Sequence, residues 1–146
     1  MTTHANQVTL FVVEDDDVDY IAIQRSLQHL KIANPLVRAT DGQEALEMLQ
    51  SKSIQHPFIM LLDLQMPRMT GLELLSTIRN NSDFKDTIVF ILTTSDDESD
   101  IVASYQHNVA GYFVKDEVDK EFFDVISLLD GYWQIVHLPG NSESNQ

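Results

Sequence analysis

Residues 58–63 read FIMLLD: five apolar side chains in an unbroken row, then an aspartate. An unbroken row of strand length, without alternation, marks a strand buried on both faces, as in a parallel sheet covered by helices. Comparable rows, rich in Val, Ile, Leu and Phe, occur at residues 8–13, 36–39, 88–92 and 112–114. Between them the spacing turns helical. Tyr20, Ile23, Leu27 and Leu30 form one stripe, and Ala45, Leu46 and Leu49 form a second after the Asp41-Gly42 turn. Leu72, Leu75 and Ile78 predict a third helix, Ile101, Val102 and Tyr105 a fourth, and Phe122, Ile126, Leu129 and Trp133 a fifth. Strand and helix alternate five times, and each interval can supply the crossover of about a dozen residues that parallel neighbours need. The expectation is a doubly wound α/β domain with a five-stranded parallel sheet in the order 2-1-3-4-5.

The length of 146 residues suits one domain with a single core. Residues 1–7 are polar and expected to be disordered, residues 8–130 form the domain, and residues 131–146 extend the fifth helix into a tail that frays from Pro139, with no effector domain. The absence of cysteine removes disulfides, thiolate metal sites and cysteine nucleophiles together. Nine basic against 23 acidic side chains give a formal net charge of -14. Such a chain lacks the cations that neutralise phosphates, so neither nucleic acid nor anionic lipid is an expected partner. No apolar row is long enough to span a membrane. The opening MTTHANQ has no charged-then-apolar signal layout, and a cytoplasmic location is expected.

In open α/β sheets ligands bind beyond the carboxyl ends of the strands, where strand order reverses. The first strand runs into Glu14-Asp15, the third into Asp63, the fourth into Thr93-Thr94 and the fifth into Lys115. These ends converge on one rim with three carboxylates, a hydroxyl and an ammonium. Close carboxylate pairs repel by about 4 kcal/mol at 4 Å and an effective dielectric near 20, so one is protonated or a cation sits among them. An all-oxygen set suits a hard divalent ion, and such an ion opposite a lysine forms a clamp for a phosphoryl group. Asp63 is then the candidate nucleophile, forming an acyl phosphate.

Four motifs in order, VVEDD at 12–16, LLDLQMPRMTG at 61–71, ILTT at 91–94 and GYFVK at 111–115, resemble the receiver domain of two-component response regulators. The resemblance spans about residues 8–130 and implies a flavodoxin-like (βα)5 fold. It implies that Asp63 is the phosphoacceptor, that Asp15 binds Mg²⁺ or Mn²⁺ directly and Glu14 through water, and that the Gln65 backbone carbonyl completes the metal shell. Thr93 matches the hydroxyl that senses the phosphoryl group, Lys115 the family's lysine and Tyr112 the aromatic switch residue. A sensor histidine kinase is the implied donor, and phosphorylation is expected to alter the face formed by the fourth helix, fifth strand and fifth helix. The implied protein is a phosphoacceptor that assists its own phosphorylation and slow dephosphorylation, rather than an enzyme. Two departures stand out. Asp116 follows Lys115 where the family usually has proline after a cis bond, and a cis bond before a non-proline costs about 2.5–4 kcal/mol, which favours trans here. Thr94 stands where the family often has alanine, and its bulk predicts a long-lived acyl phosphate. The segments IVASYQHNVAGYFVK (101–115) and YWQIVHLP (132–139) further resemble small stand-alone regulators paired with phytochrome-type kinases. Those imply self-association through the same face and residues 131–138; a histidine phosphotransfer protein is a further implied partner.

Competing readings are weaker. Asp15, Asp17 and Asp19 begin like a calcium loop, but Tyr20 holds the turn position and Ser26 the final one. Asp16, Asp17 and Asp19 read instead as acids capping the first helix, and Asp96, Asp97, Glu98 and Asp100 as a solvated start to the fourth. The five histidines share no ligand spacing. A Mg²⁺-dependent phosphatase with an aspartate nucleophile needs a second aspartate where Gln65 stands. A flavin mononucleotide carrier needs a phosphate loop where the chain has Glu14-Asp15-Asp16-Asp17. A pseudo-receiver that is not phosphorylated is the remaining alternative; the five matching side chains argue against it and the Lys115-Asp116 departure argues for it.

Overall fold

The structure, a computed structural model, describes residues 8–139; the expectations for residues 1–7 and for the tail beyond 139 lie outside it. The strands are β1 (Thr9–Val13), β2 (Leu36–Ala39), β3 (Phe58–Leu62), β4 (Ile88–Thr93) and β5 (Gly111–Val114). They form one parallel sheet in the order β2-β1-β3-β4-β5. The helices are α1 (Asp17–His29), α2 (Gly42–Gln50), α3 (Gly71–Arg79), α4 (Glu98–Gln106) and α5 (Phe123–Ile135), with a 3-10 turn at Lys115–Glu117 after β5. The expected architecture and strand order are borne out.

β1 and β3 are buried along their whole length, as their unbroken apolar rows require. Alternate strand residues feed two cores. Phe11, Val13, Met60, Leu62, Val89 and Ile91 meet α2 and α3 on one face. Leu10, Val12, Ile59, Leu61, Phe90 and Leu92 meet α1 and α5 on the other. Trp133, fully buried near the end of α5, belongs to this second core, and Leu138 packs against it. No helix among the described residues is long and apolar enough to cross a membrane.

Local chemistry starts each helix. The Asp16 carboxylate accepts the Val18 and Asp19 N–H groups at the head of α1, and Asp41 accepts that of Glu44 at α2. Thr70 and Glu73 form a reciprocal capping box at α3. Two helices differ from their expected stripes. In α4, Val102 and Tyr105 are exposed, while Ser104 is fully buried with its hydroxyl satisfied by the Asp100 carbonyl. Phe122 is buried as expected but lies just outside α5, with φ 60°, a left-handed conformation that costs a bulky residue about 1–2 kcal/mol. Asp119 stabilises that turn, accepting the N–H groups of Glu121, Phe123 and Asp124.

Candidate functional site

The carboxyl ends of β1, β3, β4 and β5 meet at one edge of the domain. Directly after β3, Asp63 has its backbone N–H tied to the Val13 carbonyl, so the neighbouring strand fixes its place. The β3–α3 turn is held from below by close packing. Gly71 donates its N–H to the Leu64 carbonyl at 3.0 Å, and a Cβ at Gly71 would lie 2.5 Å from the Asp63 carbonyl oxygen. Only glycine fits that approach. Glu14 and Asp15 follow β1; Glu14 is buried and Asp15 exposed.

Glu14, Asp15 and Asp63 each turn a carboxylate oxygen inward, and these oxygens lie within 4.8 Å of one another. Lys115 faces them with its ammonium 2.8 Å from Glu14 Oε1, 3.3 Å from Asp63 Oδ2 and 2.7 Å from Asp19 Oδ2. Three carboxylates therefore surround one ammonium, with Asp15 adding a fourth negative charge beside Glu14 and Asp63, and the electrostatics follow. Burial first, and the charge of Asp63 second, push the Glu14 carboxyl up to about 8 against the pull of Lys115. Burial pulls the Lys115 ammonium down, but Asp19, Asp63 and Glu14 outweigh it and hold the group above its usual range. An excess of negative charge on hard oxygen donors, half of it out of water, is an environment suited to a divalent cation.

Of the residues expected at the site, the structure brings Glu14, Asp15, Asp63 and Lys115 together. The Lys115–Asp116 peptide is trans, and the lysine reaches Asp63 nonetheless. Thr93 ends β4, fully buried, its hydroxyl accepting the Ser95 N–H at 3.5 Å. Tyr112 is half-buried on β5 and donates its hydroxyl to the Ser95 carbonyl at 2.9 Å. Neither Thr93 nor Tyr112 has a hydrogen bond to the acids; they are joined to each other through Ser95, whose hydroxyl donates to Asp100 of α4. Gln65 gives its N–H to Asp63 Oδ1, and its side-chain oxygen accepts the Thr94 hydroxyl at 2.7 Å, linking the segments that follow β3 and β4.

Three participants escape the sequence reading. Asp19, read as a capping acid, is the ion-pair partner of Lys115, whereas Asp16 does the capping. Ser95 gives no motif signal. Arg38, inside the β2 row, donates Nε to the Glu14 carbonyl at 3.0 Å and pairs Nη1 with Asp17 at 2.8 Å, holding the turn that carries the acids. A cation in an apolar edge-strand row is the only signal that could have flagged it.

Against known families, residues 10–127 match the response regulator receiver domain. The chain belongs to this family. The response regulator Rcp1 of Synechocystis sp. is 33% identical over 135 residues, which cover 89% of this chain and 92% of Rcp1. The crystal structure of Mn²⁺-bound Rcp1 superposes with a TM-score of 0.79, covering 90% of this chain and 98% of Rcp1 at 33% identity. That of the phosphorylated cyanobacterial phytochrome response regulator RcpA does so at 0.81, covering 91% of this chain and 99% of RcpA at 30% identity. As a receiver domain the chain is a module of two-component signalling, and its relatives include phytochrome-associated regulators.

Proposed function

We propose that this receiver domain accepts a phosphoryl group onto Asp63 from the phosphohistidine of a sensor kinase, one of phytochrome type, and acts as a phosphoacceptor rather than an enzyme. The single observation that carries the reading is the buried Asp63 facing the Lys115 ammonium beside the carboxylate oxygens of Glu14 and Asp15. Asp15, Asp63 and the Gln65 carbonyl would hold Mg²⁺ or Mn²⁺, with Glu14 acting through water. When bound, the cation neutralises charge on the oxygens of the transferring group.

An Asp63 carboxylate oxygen attacks phosphorus in line. The new O–P bond forms as the N–P bond breaks, and the electron pair stays on the imidazole nitrogen. Lys115 stabilises the equatorial oxygens, which gather charge in the loose transition state. Thr93 then turns its hydroxyl toward a phosphoryl oxygen and gives up its weak bond from the Ser95 N–H. Ser95 also anchors Tyr112 and α4, so its displacement frees the ring and repositions α4. The balance between two such states is tipped by the phosphoryl contacts alone. The altered face, α4–β5–α5 with residues 131–138, serves self-association or a partner such as a histidine phosphotransfer protein, in the cytoplasm. Exposed Val102, Tyr105, Leu128 and Ile135 on α4 and α5 support that use.

Incubation with phosphoramidate and Mg²⁺ followed by intact mass tests the reading. The parent gains one phosphoryl group and Asp63→Asn gains none; chelation of the metal abolishes the gain. Equal labelling of both proteins would overturn it.

A further inference from the structure

The acids at the head of α1 have separate tasks. Asp16 caps the helix, Asp17 pairs with Arg38, and Asp19 makes the shortest of the three contacts to Lys115, at 2.7 Å. An ammonium has three N–H donors, and here each meets a carboxylate, those of Glu14, Asp19 and Asp63. The Lys115 side chain lies buried, at 8% exposure, on a stem whose freezing costs about 2 kcal/mol of rotamer entropy, with its charged end out of water. It therefore needs partners to stay in place. Under the phosphoacceptor reading, Glu14 and Asp63 are both engaged by the cation and the phosphoryl group. Asp19 alone has no second task.

We infer that Asp19 is a positioning residue: from the first turn of α1 it keeps the Lys115 ammonium over Asp63 while Glu14 and Asp63 change partners. The inference rests on the phosphoacceptor reading and deepens it. The backbone N–H of Asp19 is itself fixed by the Asp16 cap at 3.2 Å, so α1 and the turn after β5 are joined across the site by a charged link of defined length. A nearby neutral side chain cannot replace it, because a charged hydrogen bond is roughly twice as strong as a neutral one.

The test compares the parent with Asp19→Asn, Asp19→Ala and Asp19→Glu. The first readout is the proton-nitrogen NMR signal of the Lys115 ammonium in metal-free protein, assigned by its loss in Lys115→Met. The second is the rate of phosphorylation by phosphoramidate at saturating Mg²⁺. The Asn and Ala variants should lose the slowly exchanging ammonium signal and phosphorylate roughly tenfold more slowly, with Glu restoring part of both. Asn and Ala variants that keep the signal would overturn the inference, and so would a lost signal at the parental rate. A parent that takes up no phosphoryl group would sink the phosphoacceptor reading instead, and the NMR comparison would still decide whether Asp19 holds the ammonium.

Discussion

At the scale of single residues, Asp63 is largely closed off from water, at 6% exposure. The Thr94 hydroxyl reaches across to the Gln65 side chain at 2.7 Å, and under the phosphoacceptor proposal this pair would hinder a hydrolytic water. Thr94→Ala removes that link. Its acyl phosphate should decay several-fold faster than the parent's, measured as loss of phosphorylated mass over time in Mg²⁺ buffer; an unchanged lifetime would contradict the assignment. Arg38 acts from the other side, through the Glu14 carbonyl and Asp17. Arg38→Ala should weaken Mg²⁺ binding by roughly tenfold through a loosened turn, as loss of an outer-shell partner commonly does; titration calorimetry would measure it. The residues at strand ends were legible in the sequence because an apolar row that stops at a charged residue names the rim position by itself. Asp19 was not. Four aspartates within five residues look alike in one dimension, and only the path of α1 past β5 separates the capping one from the one that meets Lys115.

At the scale of elements, two turns can be tested by substitutions outside the charged cluster. A methyl at Gly71 would press on the Asp63 carbonyl oxygen and the Leu64 Cα, at 2.5 and 2.7 Å, both backbone atoms that cannot swing aside. Gly71→Ala should cost about 1–3 kcal/mol, as overpacking usually does, and should also slow phosphorylation by shifting Asp63; a parental melting temperature would contradict the packing. At α2, Asp41 caps the helix and pairs with Arg68. The Glu44 N–H, against the cost of burial and with help from Arg68, holds its carboxyl below the usual range. Its folded-state pKa thus lies below the unfolded one, so its contribution is complete above the unfolded pKa and fades as pH falls through the folded one. Asp41→Ala should cost about 1 kcal/mol at neutral pH, and the gap to the parent should narrow in melts below about pH 4. A gap independent of pH would contradict this. The same scale shows where periodicity misleads. In α4, Ile101, Val102, Ala103 and Tyr105 spread apolar side chains over more than one side of the helix. Spacing alone placed Val102 and Tyr105 inward, whereas the small Ser104 lets α4 approach the domain closely.

For the whole molecule, the alternation of five apolar rows with five helical stripes was sufficient to read the doubly wound sheet, because each row is the length of one buried strand and each gap the length of one crossover. What pattern cannot supply is the outer surface. Trp133 is buried in the α1–α5 core while Ile135, two residues on, is 81% exposed, so the end of α5 both completes the domain and offers an apolar side chain outward. Ile135→Asp should shift any self-associated species toward monomer in sedimentation experiments while leaving the melting temperature near the parent's; unchanged association would remove this segment from the contact. The central claim remains the phosphoryl group on one carboxylate, and its location can be read chemically. Borohydride reduces an acyl phosphate of aspartate to homoserine. Protein treated with phosphoramidate and Mg²⁺, reduced, digested and sequenced by mass spectrometry should carry homoserine at position 63 alone; reduction at any other aspartate, or at none, would contradict the account.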